Sequence, residues 1–318
     1  MPVNLTDVAL DDNFVLTPFV EDLATRALSY LRAGFPVHFR GPSGTGKTAL
    51  AAHVAARIGR PVLFLSGDDE FSTSDLVGAY TGLRRKKIVD RFIHSVLKME
   101  DETIQTWVDN PLTTACRNGY TLIYDEFTRS RPEANNVLLS VLEERLLALP
   151  ASRRGDGHVR VHPDFTALFT SNPEEYAGIH KTQDALRDRM ITLDLNYLDE
   201  ETETAITGSK SGLDALSSRK IVRLVRAVRE SEDCRHTPTV RACIMIARVV
   251  RQNSLETDYQ DSGFYQVCDD VLTSTLTNGS GFGQQLKLQR LALRKLIATE
   301  VREDREDPGI MPELALTA

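Results

Sequence analysis

The stretch that decides the fold is Gly41-Pro42-Ser43-Gly44-Thr45-Gly46-Lys47-Thr48, which follows the apolar run 35–39 and precedes a helical run, 49–58. It fits the pattern G-x-x-x-x-G-K-[ST], the phosphate-binding loop of nucleotide-binding proteins. The glycines let successive backbone N–H groups turn toward a polyphosphate, and the helix that follows directs its positive dipole end at the same anion. Lys47 adds a mobile charge for the outer phosphates, and Thr48 a hydroxyl for Mg²⁺. The sequence therefore predicts a nucleotide site at these eight residues.

Composition excludes several classes of protein. The chain has 318 residues, of which 41% are hydrophobic and 26% charged, and such a balance is typical of a globular protein. Its formal charge of −7 argues against nucleic acid as a partner. No apolar run reaches the length of a membrane span, and the acidic start is unlike a secretory signal, so we expect a cytoplasmic protein without a membrane partner. The four cysteines are far apart and indicate neither disulfides nor a zinc ribbon.

Apolar runs of strand length alternate with helical runs in the first two thirds of the chain. The runs are 37–39, 61–65, 120–124, 165–170 and 190–195. Such alternation predicts βαβ units and a parallel five-stranded sheet, an α/β fold. From Asp199 the pattern is helical, over about 199–207, 214–230, 238–251, 262–276 and 283–303. We therefore expect an α/β domain at 1–198, an all-α domain at 199–302 and a charged tail at 303–318.

Two segments interrupt the α/β pattern. Turn and cap residues dominate 66–82 and predict a surface excursion, which the basic run Arg84–Lys87 follows before a predicted helix over 88–99. A further short helix is predicted from Pro111 to Cys116. Residues 146–162 predict a hairpin with a basic tip that contains Arg153 and Arg154. A basic run is most often a solvated face, but a contact there would favour an acidic partner.

The third strand ends in Asp125-Glu126. Beside a phosphate-binding loop, Asp125 can hold Mg²⁺ through water and Glu126 can polarise the water that attacks the γ-phosphate. The fourth strand ends near Asn172, whose amide would lie close to the γ-phosphate if that strand lies between the first and third. An acidic helix cap and a capping Asn are the alternatives.

Three arginines are candidates for contact with the nucleotide. Arg187 and Arg189 precede the fifth strand, so one of them could reach a nucleotide bound by a neighbouring copy, although a surface salt bridge is the alternative. A strand that ends at the nucleotide side begins at the opposite side, and we therefore predict that Arg189 acts on a neighbour. Arg241 lies in a helical first turn, where a cation is unfavourable unless an anion compensates it.

The order of these motifs resembles an AAA+ ATPase. Gly41–Thr48 resembles Walker A, 122–126 Walker B, Asn172 sensor 1, Arg189 the arginine finger and Arg241 sensor 2. The resemblance implies a P-loop AAA+ core with a parallel sheet of strand order 5-1-4-3-2, an all-α lid, and Mg-dependent hydrolysis of ATP. Lys47, Glu126, Asn172, Arg189 and Arg241 would be catalytic, with Thr48 and Asp125 on Mg²⁺. It also implies a homo-oligomeric ring, a hexamer.

Within that superfamily, the segment about 67–87 resembles the helix-2 insert of the MoxR branch, and 146–162 its pre-sensor-1 hairpin. More narrowly, residues 35–42, 67–71 and the run 124–136, Tyr-Asp-Glu-Phe-Thr-Arg-Ser-Arg-Pro-Glu-Ala-Asn-Asn, resemble the gas vesicle protein N family. This resemblance covers most of residues 14–250. It implies an ATP-driven chaperone for gas vesicle assembly and growth, in the cytoplasm or on the vesicle, with vesicle shell or accessory proteins as partners.

Two other functions share these motifs. A MoxR-type chaperone that activates a metallo-enzyme, of the carbon-fixation or nitric-oxide reductase type, has nearly the same motif set. A nucleic-acid motor that resembles branch-migration ATPases shares the Leu-Arg-Asp-Arg wording at 186–189, but the net charge of −7 and the lack of a winged-helix tail argue against it.

Overall fold

The computed structural model describes residues 5–6, 14–90, 98–149, 157–172, 184–231, 234, 236–276 and 284–300. The chain divides into two compact units, one formed by residues 1–11, 22–42 and 46–195 and the other by 12–21, 43–45 and 196–318. Among the helices of the described ranges, none has the length and hydropathy needed to cross a membrane.

The first unit is an α/β unit around one sheet. In chain order its elements are β1 (Leu5–Thr6), α1 (Pro18–Arg32), β2 (Val37–Arg40), α2 (Lys47–Ile58), β3 (Val62–Ser66), α3 (Thr73–Val77), β4 (Gly78–Asp90), β5 (Lys98–Asp109), α4 (Pro111–Asn118), β6 (Thr121–Asp125), α5 (Pro132–Asn135), α6 (Val137–Glu143), β7 (Leu146–Ala148), β8 (His158–Arg160), β9 (Thr166–Ser171), α7 (Asp184–Arg187) and β10 (Ile191–Asp194). A 3-10 turn, Phe127–Arg129, follows β6.

The main sheet has the order β1-β3-β6-β9-β2-β10. All its pairings are parallel except that of β1, which pairs antiparallel with β3 at the edge. If β2, β3, β6, β9 and β10 are numbered 1 to 5 in chain order, the parallel part of the sheet reads 2-3-4-1-5. This is the predicted order 5-1-4-3-2 read from the opposite edge, so the predicted α/β fold and strand order are confirmed. The centre of the sheet is buried and carries large apolar side chains such as Phe39, Leu122 and Phe169, as expected where helices cover both faces of a parallel sheet.

The predicted helix over 88–99 is wrong. Residues 78–90 and 98–109 form an antiparallel ribbon, β4–β5, in which Lys86 lies opposite Glu102 and Lys87 opposite Asp101. The basic run Arg84–Lys87 therefore runs alongside an acidic stretch of its own ribbon. The helix prediction relied on apolar spacing alone, and that spacing does not record a partner strand later in the chain. The predicted helix at Pro111 is confirmed by α4.

A second two-stranded sheet pairs β7 with β8, where the sequence predicts a hairpin. Arg153 and Arg154, the predicted tip, lie outside the described residues.

The second unit is helical. It contains α8 (Glu200–Ser211), α9 (Ala215–Glu230), α10 (Val240–Gln252), α11 (Ser262–Leu276) and α12 (Gln284–Glu300). Local sequence explains the starts of three helices, because the side chains of Asp199, Asp214 and Thr239 each accept a bond from a first-turn N–H. The five predicted helices are confirmed. The apolar faces of α9, α10, α11 and α12 meet in one core, which includes Val225, Ile246 and Phe264.

Candidate nucleotide site

The phosphate-binding loop has the predicted setting, between β2 and α2. Gly44 and Gly46 have φ of 76° and 82°, a left-handed conformation that favours glycine. A side chain at Gly41 would place its Cβ 2.0 Å from the carbonyl oxygen of Leu195. The glycines of the motif are thus required by backbone conformation and by close packing.

The donor groups of the loop fit a polyphosphate. Gly46 precedes α2 and provides no side-chain cap, and the N-terminal end of a helix favours an anion. Lys47 is buried and its Nζ donates to the carbonyl oxygens of Gly41 and Pro42, at 2.8 and 2.6 Å. The ammonium group is thereby held at the loop, where an anion is its natural partner.

Thr48 and Asp125 meet across the first unit. Thr48 Oγ1 donates to Asp125 Oδ1 at 2.7 Å, although 77 positions separate the two residues. A hydroxyl and a carboxylate this close together are a ligand set that suits Mg²⁺. The two residues predicted to hold the metal are therefore brought together.

A third residue joins them that sequence reasoning missed. Thr170, buried on β9, donates from Oγ1 to Asp125 Oδ1 at 2.5 Å and accepts a bond from the backbone N–H of Glu126 at 2.9 Å. A threonine on a buried strand is an ordinary β-branched residue. The residues around Thr170 in the sequence give no signal of this contact, because the contact depends on β9 lying next to β6.

Glu126 has a left-handed backbone, with φ of 51°. Its carboxylate pairs with Arg129, at 2.9 Å from Nε, and its carbonyl oxygen lies 2.2 Å from where a Cβ on Gly67 would be. The N–H of Gly67 also donates to the Asp125 carbonyl oxygen at 2.7 Å. The close approach of Gly67 therefore restrains the backbone at this acidic pair.

The segment after Glu126 is anchored by side-chain bonds. Ser130 Oγ accepts from Tyr124 Oη at 2.7 Å and from the N–H of Asp68 at 3.2 Å, while Asn135 Nδ2 donates to the Phe127 carbonyl oxygen at 3.1 Å. Residues 67–71 and 124–136, the two stretches that carry the narrower resemblance, are thus in direct contact.

His38 lies on β2, which leads into the loop. Its Nε2 and the hydroxyl of Ser171 are 2.8 Å apart, and its ring packs edge-on against Phe127. Burial, with a smaller effect of nearby Arg40, lowers the pKa of His38 to about 4. The imidazole is therefore neutral at pH 7 and joins β2 to β9 by a hydrogen bond.

Asn172 directly follows β9 and is buried. Because β9 lies between β6 and β2, the condition on which its predicted position depended is met.

The two candidate finger arginines differ in their surroundings. Arg189 pairs with Glu143, at 3.0 Å from Nε, and also contacts the Ala185 carbonyl oxygen through Nη1. Arg187 ends α7 and is exposed. Both residues precede β10, as predicted.

Arg241 lies in the first turn of α10, in the second unit, and is exposed. Its backbone N–H donates to the Thr239 hydroxyl at 3.3 Å. Gly44, which the division of the chain assigns to the same unit, approaches Thr239 so closely that a Cβ there would lie 2.4 Å from Oγ1. Gly44 and Thr239 are therefore neighbours within this unit.

Comparison with known proteins shows the family to which the chain belongs. A family profile, AAA domain (dynein-related subfamily), matches residues 36–190. The chain is 52% identical over 287 residues to the gas vesicle ATPase GvpN of Ancylobacter aquaticus. The matched region covers 90% of this chain and 80% of that protein. It is 30% identical to protein NorQ of Paracoccus denitrificans, over 68% of this chain and 74% of that protein.

Among solved structures, a RuvB mutant of Thermotoga maritima has a TM-score of 0.51 and 16% identity, over 82% of this chain and 72% of that one. This likeness supports the fold alone. The sequence match to a gas vesicle ATPase is much stronger, at 52% identity over 90% of this chain. The chain is therefore an AAA ATPase of the MoxR branch and belongs to the GvpN family of gas vesicle ATPases.

Proposed function

We propose that this ATPase is a chaperone for the assembly and growth of gas vesicles, which works in the cytoplasm or on the vesicle as a homo-oligomeric ring of six copies. Its clients would be vesicle shell or accessory proteins. The vesicle role is supported by the 52% identity to a gas vesicle ATPase. The ATPase chemistry is supported above all by the 2.7 Å bond between Thr48 and Asp125.

In this proposal the backbone of residues 41–48 binds the phosphates of ATP, and Lys47 exchanges its two carbonyl partners for phosphate oxygens. Thr48 and Asp125 hold Mg²⁺, which when bound would neutralise charge on the β- and γ-phosphates. Glu126 accepts a proton from the attacking water, which requires its carboxylate to leave Arg129.

Asn172 and Arg241 are proposed to orient the nucleotide and to sense its γ-phosphate. Both follow from the resemblance and from their positions at the end of β9 and the start of α10. The domain bounds 1–198, 199–302 and 303–318 are likewise part of the proposal.

Arg189 is proposed as the finger that acts on the neighbouring copy. Arg189→Ala should keep near-normal ATP affinity and lose hydrolysis by about 10³-fold or more. Mixing it with Glu126→Gln subunits should restore part of the rate, because some interfaces then pair an intact finger with an intact Glu126. Arg187→Ala should be milder.

Glu143→Gln is the matched control for that experiment, because it removes the partner of Arg189 within its own subunit and leaves the guanidinium in place. If Glu143→Gln loses as much hydrolysis as Arg189→Ala, the ion pair and not a contact in trans explains the loss. A mixture that co-assembles and recovers no activity would also refute the role in trans.

The test of the chaperone proposal is to co-express a gas vesicle gene cluster with this chain or with its Glu126→Gln variant, and to image the cells by electron microscopy. Only the parent chain should support full-sized vesicles. Normal vesicles with a variant shown to be inactive in ATP hydrolysis would overturn the proposal. Native mass spectrometry of Glu126→Gln with ATP tests the ring, and six copies are expected.

The 30% identity to protein NorQ favours one second candidate, a MoxR-type chaperone that activates a metallo-enzyme. The two are separated by affinity purification of Glu126→Gln with ATP, since a chaperone that binds but cannot hydrolyse ATP should retain its client. Vesicle proteins among the retained partners support the first function, and a metallo-enzyme supports the second.

A further inference from the structure

We infer that Thr170 is a positioning residue for both acidic groups of the site, and that its hydroxyl sets the response of ATP binding to Mg²⁺. This inference rests on the proposed roles of Asp125 and Glu126. Thr170 acts through Asp125 and Glu126 and is not proposed to contact the nucleotide itself.

The direction of both hydrogen bonds is fixed by chemistry. A backbone N–H can only donate, so the Glu126 N–H, 2.9 Å away, must use a lone pair of Thr170 Oγ1. The one proton of the hydroxyl is then available for Asp125 Oδ1, at 2.5 Å, and an ionised carboxylate can only accept. Thr170 is fully buried, so water does not compete for either bond.

These bonds restrain the two acidic residues at once. On the Asp125 side, Oδ1 accepts from Thr170 and from Thr48, and these bonds fix the rotation of the carboxylate. On the Glu126 side, the bond holds an N–H whose residue has a left-handed backbone, a conformation that is unfavourable for a residue with a Cβ. Without the hydroxyl of Thr170, Asp125 loses one of these two bonds and the Glu126 N–H loses its acceptor at the same time.

The same strand offers a matched control. At the other end of the β6–β9 pairing, Thr166 Oγ1 lies 3.1 Å from Thr121 Oγ1, so a second hydroxyl joins the same two strands. If the role of Thr170 were only to hold the strands together, the loss of either hydroxyl should have similar effects. If Thr170 positions the site, only its own loss should alter the response to Mg²⁺.

The experiment compares the parent full-length chain with Thr170→Val, Thr170→Ser and Thr166→Val. The affinity for a fluorescent ATP analogue is measured in EDTA and in Mg²⁺, together with kcat, KM and the unfolding temperature. Thr170→Val should match the parent in EDTA, lose most of the gain in affinity that Mg²⁺ gives, and lose about 10- to 100-fold in kcat, as is typical when a partner of a metal ligand is removed. Thr170→Ser and Thr166→Val should both resemble the parent.

If Thr170→Val keeps the Mg²⁺ gain and kcat, or if Thr166→Val loses them equally, the inference is wrong. Should Thr170→Val fail to fold, the pair Thr170→Ala and Thr170→Ser decides the same question, because the two variants differ by the hydroxyl alone. Failure of the proposed function would give a different result, because the parent chain itself would then show no Mg²⁺-dependent binding of the analogue.

Discussion

The replacement of Glu203 by Gln tests what holds the helical unit together. Glu203, on α8, is 1% exposed, and its carboxylate pairs with Arg229 at 2.8 Å and with Arg226 at 3.0 Å, both on α9. Arg229 is itself 8% exposed, stacks on the Tyr197 ring and donates to the Pro238 carbonyl oxygen at 3.0 Å. The network therefore joins α8 and α9 to Pro238, two residues before α10 begins.

The magnitude follows from burial. Gln keeps the shape of Glu203 but removes the charge that compensates two guanidinium groups, and breaking a buried pair in this way costs about 3–5 kcal/mol. In a protein of this size, each kcal/mol lowers the unfolding temperature by about 2–4 °C. A cost of about 3 kcal/mol thus predicts a decrease of about 6–12 °C.

Glu200→Gln is the matched control. Glu200 lies on the same helix and pairs with Arg223, also on α9, at 2.9 Å, but its side chain is 39% exposed. An exposed pair contributes about 0–1 kcal/mol, so this variant should unfold within about 4 °C of the parent. The assay is thermal unfolding followed by circular dichroism at pH 7. Equal unfolding temperatures for the two variants would refute the reasoning from burial.

Other predictions concern the site and its edge. Lys47→Ala should weaken binding of a fluorescent ATP analogue by about 10- to 100-fold, because it removes charge-assisted bonds to phosphate, and unchanged binding would contradict the role of Lys47. Glu126→Gln should bind the analogue normally and hydrolyse ATP at least about 10²-fold more slowly, which a turnover assay equal to that of the parent would disprove. The hydrogen bond from Arg40 lowers the pKa of Asp194, so the contribution of this pair to stability is present above the ordinary pKa of about 4 and is lost as the pH falls through the lower folded pKa. Asp194→Asn should therefore lower the unfolding temperature at pH 7 and lower it less at pH 3. The effect at pH 7 should be small, because both side chains of the pair are about half-exposed. An equal decrease at both pH values would contradict this prediction.

The elements that depend on local chemistry are predictable from the sequence. The glycines at 41, 44 and 46 specify a loop that only glycine can form, and the five apolar runs specify buried strands. The start of α10 is predictable because the hydroxyl of Thr239 and the Arg241 N–H that it accepts are only two residues apart. The acidic pair 125–126 is predictable because it lies at the end of an apolar run downstream of the loop.

The tertiary structure alone decided which distant residues meet. The ribbon of 78–90 with 98–109 was mistaken for a helix because strand pairing depends on a partner that local spacing does not record. Thr170 could not be assigned from its sequence, since its contacts with Asp125 and Glu126 exist only because β9 lies beside β6. The pairing of Glu203 with Arg229 depends on the tertiary structure for the same reason, because an ion pair requires a distance near 3 Å and a side-chain orientation that residue order does not contain.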